Sequence, residues 1–137
     1  TYTVFDGYQY SHATLAAFSK EGEKLYDNTF NMFLRDKPFR VKKFIELGVE
    51  GKQVSMVYVD EHFIRTKVFE DGEVIEEENS EIMDTGNEND RVRGTTSDLE
   101  YWYNQYFISY GFQYIKNKKD KNVKRKRYVF FVQKLKY

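Results

Sequence analysis

The chain has 137 residues, 22 basic and 22 acidic side chains, 18% aromatic residues, one proline and no cysteine. A chain of this length buries roughly two-thirds of its unfolded surface without a staple, and the absence of cysteine excludes disulfide frameworks, thiolate metal sites and cysteine nucleophiles. No run approaches the ~18 apolar residues that span a bilayer as a helix, and residues 1–10 carry neither the basic start nor the apolar run of a signal peptide. A cytoplasmic protein fits these features best, and a disulfide-free secreted one also fits.

The zero net charge hides a strong polarity along the chain. Residues 1–59 carry +1, residues 60–100 carry −10 and residues 101–137 carry +9. Either the two blocks neutralise each other in the fold, or one of them meets a charged partner.

The elements follow in chain order. Residues 12–26 fit two templates. Leu15, Phe18, Tyr26 and Phe30 share a helical face that Gly22 interrupts. Alternatively, Ala16-Ala17-Phe18 and Lys24-Leu25-Tyr26 are strands around a turn at residues 20–23, and this hairpin is slightly preferred. Thr3-Val4-Phe5 reads as a short strand and Asp6-Gly7 as a turn. Residues 27–47 read as helical. Phe30, Phe33 and Leu34 supply a stripe, Asp36 and Pro38 start a second helix, and Val41, Phe44 and Ile45 extend it to a stop at Gly48.

Residues 53–60 form the clearest strand, rich in β-branched residues. A turn near Glu61 leads to a strand at 63–69, Asp71-Gly72 gives a hairpin turn, and residues 73–78 return as an acidic strand at an edge. Residues 79–95, poor in apolar side chains, read as a mobile acidic loop. Ser97-Asp98-Leu99-Glu100 has the form of a capping box. Leu99, Trp102, Tyr103, Tyr106, Phe107 and Tyr110 then follow at helical spacing until Gly111. A strand at 112–116, a lysine-rich turn at 117–122 and a long strand at 123–135 complete the chain. The Tyr128-Val129-Phe130-Phe131-Val132 core of that strand reads as buried on both faces, beneath a helix or between neighbours. The expected fold class is therefore α+β: a single domain with an antiparallel sheet of several hairpins, packed by two or three helices.

Chemistry-bearing motifs are scarce. The two histidines are His12 and His62, and Asp60-Glu61-His62 is the one cluster resembling a site, with no third ligand in view. No serine sits in a Gly-x-Ser-x-Gly elbow, and neither a phosphate-binding glycine loop nor a dinucleotide fingerprint occurs. No cofactor or metal is expected, and the balance leans away from an enzyme.

Two charged surfaces remain. Lys116, Lys118, Lys119, Lys121, Lys124, Arg125, Lys126 and Arg127 fall on two strand ends and the turn between them, where they suit nucleic-acid phosphates, with Tyr114 and Tyr128 beside them to stack on bases. Glu73, Glu76, Glu77, Glu78, Glu81 and Asp84 form an acidic surface suited to a protein partner. Small size, missing catalytic motifs and surplus tyrosine favour a non-enzymatic protein-binding module, such as an inhibitor or adaptor from a phage or other mobile element. A nucleic-acid-binding protein using the basic hairpin is the alternative.

Overall fold

The computed structural model describes residues 2, 4, 6–36, 43–60, 63–81 and 85–137. The described residues form nine strands: β1 (Tyr8–Phe18), β2 (Lys24–Asp36), β3 (Ile45–Glu50), β4 (Gln53–Asp60), β5 (Phe63–Glu70), β6 (Glu73–Glu81), β7 (Asp90–Tyr103), β8 (Tyr106–Asn117) and β9 (Lys126–Lys136). No helix occurs among them, so none long and apolar enough to cross a membrane does either. The expected α+β class is thus corrected to all-β.

Three antiparallel sheets hold these strands, with orders β1-β2, β3-β4-β5-β6 and β7-β8-β9. Strand β4 explains how they stack. Its side chains alternate, and both sets are buried. Met56 and Tyr58 join Phe30, Met32 and Phe69 in one core, with Ala13 and Leu15 of β1 packed against it. Val57 points the other way, into a second core with Ile64, Phe107 and Phe131. The four-stranded sheet is therefore the middle layer, with the β1-β2 hairpin on one face and the β7-β9 sheet on the other. Each fully buried aliphatic or aromatic side chain adds about 1.5–3 kcal/mol. The two cores therefore join the layers firmly despite the high surface polarity.

Turn chemistry sets the meander. Asp71 and Gly72 both have positive φ, 50° and 90°, which is the two-residue turn whose twist matches paired strands. Tyr26 lies directly over Gly72, whose Cβ would come within 2.7 Å of the ring, and Asn28 Nδ2 donates to the Gly72 carbonyl at 3.3 Å. The first hairpin is thus anchored on a turn of the middle sheet.

The strands at 53–60 and 63–70, the Asp71-Gly72 turn and the acidic return strand agree with the sequence reading, as does the hairpin around residues 20–23. The helices do not. In β2, Phe30, Met32 and Leu34 point inward with a period of two while Phe33 stands 85% exposed, so the Phe30-Phe33-Leu34 stripe is not one face. Gly48 is no helix stop. It lies inside β3 beneath Gln105, Tyr101 and Phe107, where a Cβ would meet all three within 3.0 Å. The expected helix from Ser97 to Tyr110 is a hairpin, turned at Asn104 and Gln105, both with positive φ (45° and 61°). Residues 79–81 and 90–95, expected in a loop, are strand. Pro38, Val41, Thr3, Phe5, Glu61 and His62 lie outside the described residues.

Candidate nucleic-acid interface

The β7-β9 sheet has two unlike faces. Phe107, Ile115 and Phe131 turn toward the middle sheet and are buried. The opposite face carries Tyr106, Ile108, Tyr110, Phe112 and Tyr114 of β8, paired with Lys136, Lys134, Val132, Phe130 and Tyr128 of β9. Nothing among the described residues covers it: Tyr128 is 74% exposed and Phe130 56%. This corrects the expectation that residues 128–132 are buried on both faces. The strand lies at a sheet edge, and no helix among the described residues packs over it.

The exposed rings form cross-strand pairs. Phe112 and Phe130 have centroids 5.2 Å apart, and Tyr114 and Tyr128 5.1 Å apart at 32°. Such pairs hold each other in place at about 0.5–1.5 kcal/mol beyond their burial, so the platform is preorganised. Gly94 of β7 lies opposite Tyr114 and presents no side chain, leaving that ring open on its flank.

One end of the face is ringed by cations. Lys116 Nζ lies 5.9 Å from the Tyr114 ring centre, and Lys126 is its cross-strand partner. Strand β7 adds two arginines from the net-negative stretch 60–100. A bulge between Val92 and Gly94 inserts Arg93 as an extra residue, exposed beside Arg91. Arg91 Nη1 is held by the carbonyls of Glu88 and Asp90, at 2.9 Å each. Arg91, Arg93, Lys116, Lys118, Lys119 and Asn89 line a cleft of about 180 Å³. The loop beyond presents Lys118, Lys121 and Arg125 around a second, more open groove with Asp120. Six of the eight basic residues singled out in the sequence thus cluster at one end of the sheet, together with Arg91 and Arg93, and Lys124 is exposed in the same loop. The signal that marks the two arginines is the alternating Arg-Val-Arg of a strand start, hidden by the net negative charge around it.

Arg127 has a different role. Its guanidinium pairs with Asp90, whose side chain is 3% exposed. Asp90 also accepts from Thr85 Oγ1 and from Asn117 Nδ2, the latter at 2.9 Å. Asn117 Oδ1 in turn accepts from the backbone N–H groups of Lys119 and Asp120 at 3.1 and 2.9 Å. This hub fixes the foot of the basic loop. Burial pushes the Asp90 carboxyl pKa up, but the hydrogen bonds from Thr85, Asn117 and Arg127 and the Arg127 charge outweigh it and hold the group below its ordinary value.

At the far end of the face, Lys134 Nζ sits 3.8 Å from the Tyr106 ring centre and 5.1 Å from that of Trp102. The β7 side is acidic: Asp98 and Glu100 lie opposite Tyr110 and Ile108. Glu100 accepts from Tyr110 Oη at 2.8 Å, a bond that keeps the phenol protonated above its ordinary pKa. Trp102 and Tyr103 are exposed, while Tyr106 and Tyr110 are half-buried, so the tyrosines do reach an edge as their hydroxyls require.

The acidic candidates lie elsewhere. Glu73, Glu76, Glu77 and Glu78 are exposed along β6, the edge of the middle sheet. Glu77 meets Lys67 at 3.6 Å. With Phe33, Arg65, Asn79 and Glu78, Glu77 also borders a cleft of about 270 Å³ between β2 and β6. Glu81 belongs to β6 by its backbone, and Asp84 lies outside the described residues. Of the Asp60-Glu61-His62 cluster, Asp60 is described, and its carboxylate takes Arg65 Nε at 3.4 Å. His12 Nδ1 is 2.9 Å from Ser11 Oγ on the exposed side of β1. No group of three potential metal ligands occurs among the described residues.

Comparison of the chain with protein-family models, with curated proteins and with solved structures finds no match.

Proposed function

We propose that this protein binds nucleic acid through the cationic end of the β7-β9 sheet. The observation that carries this reading is the convergence of Arg91, Arg93, Lys116, Lys118 and Lys119 from two strands and a loop onto one cleft beside the pair of half-buried Tyr114 and exposed Tyr128. Cations placed side by side repel, so clustering that the core does not need suits a polyanion that releases counterions on binding. The hub at Asp90 and Asn117 preorganises the loop, which lowers the ordering cost of association.

Anisotropy with labelled single-stranded DNA, duplex DNA and RNA across a salt series tests this. Affinity is expected to fall steeply with salt, by about 0.7 to 0.9 log units per phosphate contact for each tenfold rise. Replacing Arg91, Arg93 and Lys116 by alanine is expected to flatten that slope by roughly 2. Lys124, Arg125 and Lys126 can be replaced likewise, but Arg127 must be left because it neutralises Asp90. No binding at low salt sinks the reading.

A second reading is a protein-binding module, inhibitor or adaptor, that uses the acidic edge β6. The observation favouring it is that β6 is an edge strand among the described residues and carries four exposed glutamates, next to the Phe33-lined cleft. An extended basic strand adds to such an edge by main-chain hydrogen bonds. Titration with an alternating Lys-Val peptide is expected to show one-to-one binding that Glu76→Lys and Glu78→Lys together weaken at least about tenfold. Equal binding by that variant argues against the edge.

A further inference from the structure

We infer that the aromatic outer face of the β7-β9 sheet is a platform for unpaired bases, so that the nucleic acid taken is a single strand lying along the sheet. This rests on the phosphate-binding reading above and goes beyond it by assigning the bases and the path. Cations alone do not distinguish strands from duplexes. Exposed rings do, because a base stacks on a ring only when its own face is free. Tyr114, Tyr128, Phe112 and Phe130 present such rings in two adjacent pairs, and Tyr128 and Phe130 are more than half exposed.

The path follows from the charges. Asp98 and Glu100 flank the face on the β7 side, while Lys126, Lys134 and Lys136 follow the β9 side. A phosphate backbone therefore runs along β9 with its bases turned inward over β8. From Tyr128 to Lys136 is eight residues, or roughly 26 Å at ~3.3 Å per residue, a span compatible with the ~4–16 nucleotides held by comparable sheet platforms. Lys134, stacked over Tyr106 and Trp102, marks the far end.

Trp102 is the single tryptophan, so it reports directly on that end. Oligodeoxythymidines of 4 and 12 nucleotides and a 12-base-pair duplex serve as probes. The 12-mer is expected to alter Trp102 emission and the 4-mer to leave it unchanged. Tyr114→Ala with Tyr128→Ala is expected to weaken the 12-mer at least about tenfold while duplex binding stays put and the unfolding midpoint drops only by what the lost ring pair supplied. Tyr114→Phe with Tyr128→Phe, which keeps both rings, is expected to restore single-strand binding.

If single strand and duplex bind alike and the alanine variant changes neither, the platform is wrong and the phosphate reading stands. If no nucleic acid binds at low salt, both fall. If sedimentation shows a dimer that Phe130→Ala disrupts, a second copy of the chain occupies the face and the inference is overturned.

Discussion

Replacing Gly111 with alanine is expected to cost about 4 kcal/mol, at the upper end for a single substitution. Gly111 pairs with Ser97 in the middle of the β7-β8 ladder. A Cβ built there would lie 1.9 Å from the Thr96 carbonyl oxygen and 2.8 Å from Ser97 Cα. Both are backbone atoms, so no rotamer change relieves the overlap and the strands must separate. Gly94, in the same sheet, has nothing within 4 Å of its Cβ position. Gly94→Ala is the matched control, with an expected change under about 1 kcal/mol. Urea unfolding of both variants decides the matter. Equal midpoints would show that the ladder yields at Gly111 without cost.

Removing the carboxylate of Asp90 is expected to cost about 3 kcal/mol, because it leaves the Arg127 guanidinium unpaired with its side chain only 21% exposed. The lower part of the range for buried pairs applies, since Arg127 keeps that contact with water. Asp90→Ala also frees the Thr85 hydroxyl and the Asn117 amide, so the foot of the basic loop loosens and phosphate affinity drops with stability. Replacing both partners, Asp90→Ala with Arg127→Met, is expected to recover part of the loss. The pH dependence has a defined sign. The folded-state pKa of Asp90 is lowered from 3.8, so the unfolded chain takes up the proton first on acidification. The stabilisation is complete above the ordinary carboxylate range and is lost as pH falls through the folded value. Unfolding curves between pH 7 and pH 2 are expected to show this loss in the native protein, and a smaller one in Asp90→Asn. Parallel pH profiles would remove Asp90 from the account.

The middle sheet was legible because its signals agree with one another. Val54, Val57, Val59 and Ile64 favour strands, and Asp71-Gly72 requires a turn. The β7-β8 hairpin was misread because Leu99, Trp102, Tyr103, Tyr106, Phe107 and Tyr110 satisfy helical spacing while belonging to two strands. Around the Asn104-Gln105 turn, Leu99, Tyr101 and Phe107 face inward, and Tyr106 and Tyr110 face outward. The side chains that imitate a capping box are used otherwise: Glu100 accepts from Tyr110, and Ser97 sits opposite Gly111 in the ladder. Tertiary pairing overrides a local pattern of this kind. The basic half of the candidate interface was legible from the charge run at 116–127. Arg91 and Arg93 were not, because a bulge and a strand pairing some twenty-five residues away bring them there. Arg127 looked equivalent to its neighbours, and only the position of Asp90 separates it from them.

The strand order has a kinetic consequence. Every ladder among the described residues joins strands consecutive in the chain, so none of these pairings waits on a long loop to close. All-β proteins fold slowly when distant segments must meet first. Here each hairpin can zip from its own turn, and the late step is the docking of preformed layers through the faces of β4. Folding on the millisecond rather than the second timescale is the expected behaviour, and amide exchange should release the layers as units, with β4 and β5 the last to open.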